Sequence, residues 1–107
     1  MIERKIISEG NFFIKQGDLF QLQELYESNM NYSNSVFDWL YIFKELFINS
    51  CIYNQLHISI WLYEMYQNFD EIQKILFKPT FKYVKYIKKS NISNDRPHIE
   101  WFQKMGF

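Results

Sequence analysis

Apolar residues along this chain recur every three or four positions in blocks of ten to twenty residues, and short polar or turn-forming clusters separate the blocks. The most telling block covers 46–65 and reads LFINSCIYNQLHISIWLYEM. Two helix-compatible apolar segments, 46–52 and 56–65, meet there at Asn54 and Gln55, a joint too short for anything but a tight helical hairpin. Asn54 stands where the first of these helices must stop. Asn tolerates the left-handed backbone better than most residues with a side chain, so it can serve where Gly usually does.

The other blocks follow the same logic. A short helix is predicted over 9–16 and is stopped by Gly17; Asp18 then caps a second over 19–28, whose Leu19, Leu22, Leu25 and Tyr26 share one stripe. Residues 29–35 read as a polar loop that supplies cap residues to a helix from about Val36, with a break near Tyr41. Asp70 or Asn68 caps a helix reaching about Phe77, which Pro79 should end or kink. A basic helix restarts over 80–89 with Phe81, Val84 and Ile87 along its apolar edge. After a linker at 90–95, Pro97 opens a last helix that runs through Met105 to Gly106. No stretch alternates apolar and polar residues between turn signals, so the expected class is all-α.

Self-similarity organises these helices. At an offset of 37 residues GDLFQLQELYE (17–27) lies over NQLHISIWLYE (54–64), pairing Leu19 with Leu56, Leu25 with Leu62, Tyr26 with Tyr63 and Glu27 with Glu64. The helix stoppers Gly17 and Asn54 coincide. A weaker third copy, IEWFQKMG (99–106), sets Trp101 over Trp61 and Met105 over Met65 at an offset of 40. A period of this size marks stacked supersecondary units.

On these residues the chain resembles the divergent ankyrin repeats that giant DNA viruses encode in large families. Ser50, Cys51, Asn54, Leu56, Ser59, Trp61, Leu62, Tyr63 and Glu64 stand in the places of that repeat's small residue, Cys, turn Gly, Leu and closing Trp-Leu-Tyr-Glu run. The pattern departs from the family in several ways. The Thr-Pro-Leu-His turn of standard ankyrin repeats is absent, Phe13 and Leu22 stand where small residues are favoured, and Arg96 stands where the third copy wants Leu. Residues 69–90 fit no repeat.

The resemblance implies a single domain over 1–107, an ankyrin-like short solenoid of stacked antiparallel helical hairpins. Its repeat-like units cover about 7–35, 36–68 and a degenerate 69–107. It implies a non-catalytic protein-interaction module, with a protein partner of the host cell if the source is viral, and partner-contacting positions around Asn54, Gln55 and His57. A decayed repeat fragment without activity, or a piece of a longer array, is the bland alternative.

Composition narrows the chemistry. A chain of 107 residues, 48% hydrophobic and 21% aromatic, folds as one small domain. It has no Ala and one Thr, with Ile, Asn, Lys, Phe and Tyr in excess, as an adenine- and thymine-rich genome would write it. Cys51 is the only cysteine, so neither an internal disulfide nor a cysteine-built zinc site can form, and its apolar surroundings read as packing. His57 and His98 complete no metal motif and read as surface or interface histidines. The isolated Gly10, Gly17 and Gly106 form no phosphate-cradling loop. No enzyme chemistry and no cofactor are expected. The absence of a signal-peptide run or an apolar span of membrane length points to an intracellular protein, in the host cytoplasm if viral, with no small-molecule substrate and no membrane partner.

Charge adds one feature. The formal net charge is zero, yet up to Glu71 ten acids face four bases (net −6) and from Ile72 onward two acids face eight bases (net +6). Lys74, Lys78, Lys82, Lys85 and Lys89 recur at helical spacing and would form a basic stripe on a continuous helix. Interleaved with Phe77, Phe81, Tyr83 and Tyr86, that stripe is the basis of a second reading, a small helical nucleic-acid-binding protein. A solvated face is the simpler account. The last helix carries Ile99, Trp101, Phe102 and Met105, more apolar surface than one face can bury, and self-association through it is expected.

Overall fold

Turn chemistry decides where the first helices stop and start. The computed structural model describes residues 2–30, 36–90 and 96–106, with six helices among them: α1 (Ile2–Gln16), α2 (Leu19–Met30), α3 (Val36–Ile52), α4 (Leu56–Tyr66), α5 (Glu71–Ser90) and α6 (Arg96–Met105). No strand occurs among the described residues. Asn29 and Met30 still belong to α2, and Ser90 closes α5; the rest of the expected loop and linker, 31–35 and 91–95, lies outside the described residues.

Gly17 and Asn54 both adopt positive φ, 70° and 59°. The Gly17 amide donates to the Ile14 carbonyl at 3.0 Å and the Asp18 amide to Phe13 at 2.9 Å; the Asn54 amide donates to Cys51 at 3.2 Å and the Gln55 amide to Ser50 at 2.9 Å. These are the same two bonds repeated 37 residues apart, the pair that satisfies the last carbonyls of a helix through a left-handed residue. Helix starts are equally local. Asp18 Oδ1 accepts from the Gln21 amide at 3.1 Å. Asp70 Oδ1 accepts from the Gln73 amide at 2.8 Å while Gln73 Oε1 accepts from the Asp70 amide at 3.0 Å, a reciprocal capping box.

Helices α1, α3 and α5 pack in a row, and each also packs on the helix that follows it. The α1–α3 approach is close because Gly10 lies on it: a Cβ there would come within 2.6 Å of Leu46 Cδ2. Around this row the core gathers Ile6, Ile14, Leu22, Ile42, Leu46, Phe47, Ile58, Leu62, Phe77, Phe81, Val84 and Phe102. Phe47 is central, its ring 6.0 Å from Phe77, 5.4 Å from Phe81 and 6.3 Å from Trp101. Along the even-numbered helices one aromatic step recurs. Tyr26 of α2 meets Trp61 of α4 edge-on at 6.0 Å, and Tyr63 of α4 meets Trp101 of α6 edge-on at 5.7 Å.

Several expectations are corrected. The first helix starts at Ile2, not near Glu9, because Ile6, Gly10 and Ile14 are spaced to bury one face along its whole length. Helix α3 runs unbroken past Tyr41, an exposed position between half-buried Leu40 and buried Ile42. Pro79 does not end α5. It removes the amide that would serve the Ile75 carbonyl, but Ile75 and Pro79 both face solvent, where water takes that place, while Phe77, Thr80, Phe81 and Val84 hold the opposite face in the core. The 37-residue pairing predicts Leu62, Leu56 and Leu25 alike between paired helices; Leu62 is buried, whereas Leu56 and Leu25 are only half-buried.

Two predictions follow from this packing. Leu62→Ala should cost roughly 2–5 kcal/mol, and Leu25→Ala about 1 kcal/mol, in denaturant unfolding; equal costs would mean that the two leucines are equally buried. Burial raises the Tyr26 phenol above its ordinary value near 10, and Tyr66 is raised by burial first and then by neighbouring Tyr63 and Glu71. Above pH 10 the unfolded chain releases tyrosine protons that the folded chain keeps. Stability from these groups is therefore complete below about pH 10 and is lost as pH rises through their folded values. Tyrosinate absorbance should show part of the tyrosine titrating only with alkaline unfolding; full titration in the folded protein would contradict this.

Candidate interaction surface

Two of the three turn residues singled out by the sequence, Gln55 and His57, join the two turns to each other. Asn54 is exposed in its left-handed conformation. Gln55 is half-buried, with its side-chain amide against the bare α-carbon of Gly17. The exposed His57 has Nε2 at 3.0 Å from the Gly17 carbonyl; a carbonyl only accepts, so Nε2–H donates. Gln55 and His57 therefore hold the second turn on the first.

A second polar group lies inside. Ser50 and Ser59 are both fully buried, with their Oγ atoms 2.7 Å apart across α3 and α4, and Ser59 Oγ is 2.9 Å from Nε2 of His98, 1% exposed on α6. Ser50 Oγ–H donates to the Phe47 carbonyl at 2.7 Å, so its oxygen accepts from Ser59 and Ser59 accepts from His98 Nε2–H. The buried thiol of Cys51 lies 3.7 Å from the same Ser59 oxygen. Serine, cysteine and histidine meet here without an opening to solvent, so the cluster is a polar pin between helices. His98 is thus an interface histidine and not a surface one. The sequence signal for it is the pair of small polar residues, Ser50 and Ser59, on otherwise apolar helix faces.

Around α5 three sectors are distinct. Phe77, Thr80, Phe81 and Val84 face the core. The lysines occupy one flank as a single stripe. Lys78 and Lys82 are exposed, and Lys74 is half-buried with Nζ 4.0 Å from Glu71. Lys85 is half-buried beside Ile99, Phe102 and Gln103 of α6, and of Lys89 only its helix position is described. The third sector is exposed and apolar. Burial of Phe77 and Phe81 leaves only Tyr83 and Tyr86 of the four aromatic rings open to a stacking base. On α6, Phe102 is buried and Ile99 and Trp101 half-buried, with Met105 at the rim. The apolar surface expected on the C-terminal helix is mostly turned inward, and the larger exposed one belongs to α5.

The sequence reading missed a groove between α1 and α3. It has a volume of about 500 Å³ and is lined by Arg4, Ile7, Ser8, Asn11, Phe12, Lys15, Tyr41 and Glu45. Arg4, Ser8, Asn11 and Lys15 fall at i, i+4, i+7 and i+11, and Tyr41 and Glu45 at i and i+4, a legible signal of two facing polar stripes. Asn11 Oδ1 is buried there without a hydrogen-bond partner, and Lys15 Nζ lies 5.4 Å from the centre of the Tyr53 ring. The groove therefore offers one carboxylate and two cations, with the buried, unpaired Asn11 oxygen behind its wall. Among the described residues no three His, Cys, Asp or Glu side chains gather as a metal site, and no helix is long and apolar enough to cross a membrane.

Compared with models of known families, with curated proteins and with solved structures, the chain matches none.

Ser59→Ala removes the acceptor of the buried His98 N–H and should cost about 1–3 kcal/mol in denaturant unfolding, more than Ser50→Ala, after which Ser59 still has the Gln55 carbonyl at 3.3 Å to donate to. An unchanged midpoint for Ser59→Ala would show that the pin contributes nothing.

Proposed function

We propose that the chain is a short, divergent ankyrin-like stack of three helical hairpins, α1–α2, α3–α4 and α5–α6, acting as a non-catalytic protein-interaction module. The observation that carries this reading is the identical turn at Gly17 and Asn54, bond for bond at the 37-residue offset of the sequence repeat. The Tyr-to-Trp step from α2 to α4, repeated from α4 to α6, supports it as well. In a stack of this kind each unit rests on its neighbours, and the exposed helix positions are free to diverge toward partners.

The groove between α1 and α3 is the contact surface in this reading, in place of Gln55 and His57, which are occupied in joining turns. Arg4 and Lys15 offer charge to an acidic side chain, Glu45 accepts from donors, Asn11 lines the wall beside them, and Tyr41, 51% exposed, supplies an amphipathic ring. Catalysis finds no support in the Ser59 and His98 pair, which no substrate can reach. The nucleic-acid reading loses two of its four stacking rings to the core.

A photo-crosslinking residue at position 41, introduced into the full chain and exposed to cell extract, should capture a protein in an adduct that resists nuclease. Asn11→Ala with Glu45→Lys should lower capture by about tenfold, the loss of one or two good polar contacts, with helicity unchanged. Adducts that nuclease removes, or capture indifferent to the groove substitutions, would overturn the proposal.

A further inference from the structure

Helix α5 has an apolar face turned away from the core. Ile72, Ile75, Leu76, Pro79, Tyr83 and Tyr86 fall at i, i+3, i+4, i+7, i+11 and i+14, a stripe about 100° wide and about 20 Å long. All six are exposed, Ile72 and Tyr86 to 71% and Ile75 to 60%. The core is satisfied by the opposite side of the helix. Lys78 and Lys82, both exposed, run along one flank of the stripe, and α5 carries a single acid, Glu71, at its first position.

The shape and chemistry of the stripe select its occupant. Its residues project from one helix, so they form a convex ridge and not a walled groove of the kind that receives another protein's helix. A second copy docked through the same stripe with its helix antiparallel would set lysine flank against lysine flank. Ile72, Ile75 and Leu76 offer nothing to a phosphate or a base. A lipid surface yields around a convex apolar ridge, and lysine stems can lie along such a ridge while their ammonium groups reach anionic headgroups. Tyrosines suit the same boundary, apolar in the ring and polar at the tip.

We propose that α5 docks this protein on anionic bilayers. The helix lies in the plane of the interface, with Ile72, Ile75, Leu76, Tyr83 and Tyr86 at the acyl boundary and Lys78 and Lys82 on the headgroups. It rests on the surface and does not cross it.

The test is flotation of the full chain with vesicles of phosphatidylcholine alone and of phosphatidylcholine with phosphatidylserine. The protein should float with the serine-containing vesicles and far less with neutral ones, and rising salt should weaken it. Lys78→Gln with Lys82→Gln should reduce binding by roughly tenfold or more, and Ile75→Glu with Leu76→Glu should abolish it. Circular dichroism should be unchanged in both, since all four positions are exposed. Asn11→Ala with Glu45→Lys should leave flotation intact, which separates this site from the groove. Equal binding to both vesicle types, no binding to either, or binding that survives Ile75→Glu with Leu76→Glu would overturn the proposal. Concentration-dependent self-association lost in that last variant, without flotation of the parent, would assign the stripe to a second copy and overturn it as well.

Discussion

Two left-handed residues set the geometry on which everything else rests. A helix separated from the next by only two or three residues must satisfy its last carbonyls locally, and a positive φ at Gly17 and at Asn54 does this with the same pair of bonds. Once the Gly17 turn is made, its carbonyl is turned out to accept from His57, and the missing Cβ leaves room for the Gln55 amide. The first turn is therefore the seat of the second. Helix ends, helix order and the contact between successive turns come from one local constraint.

Legibility in the sequence tracked how local the physics was. The stop at Asn54, the cap at Asp18, the cap at Asp70 and the stop at Gly106 depend on neighbours within a few residues, and all were readable. Of the two outcomes expected at Pro79, an end or a kink, the end does not occur, because the orphaned carbonyl lies on an exposed face and the far side of the helix is anchored. The start of α1 is predicted too late because the face that Ile6, Gly10 and Ile14 bury against other helices extends ahead of the expected 9–16. His98 and the groove depend on residues roughly 30 to 50 positions apart, which no periodicity could connect; only the polar stripes on α1 and α3 hinted at the groove.

The first two helix pairs also show two ways to solve one packing problem. Where α3 and α4 meet, Ser50 and Ser59 are small and bond to each other; 37 residues earlier the same places hold Phe13 and Leu22, which fill the space with carbon. Apolar filling is tolerant of slight sliding, because dispersion has no direction. A hydrogen-bonded serine pair has one good geometry, and His98 extends that geometry to α6. The two solutions divide stability and register between the pairs.

Gly10 ties the shape of the groove to the folding of the molecule. Gly10 faces the core and not the groove, but the α1–α3 approach that carries the groove has no side chain at that position, and a single methyl there would meet Leu46 at less than contact distance. A side chain at that point would have to displace the buried Leu46 side chain. Variation that retunes the surface is thus confined to the rim, at Arg4, Ser8, Lys15, Tyr41 and Glu45, where side chains can change without moving a helix. The spacing between the two helices is inherited from the backbone, and only the lettering on its edges is open to change.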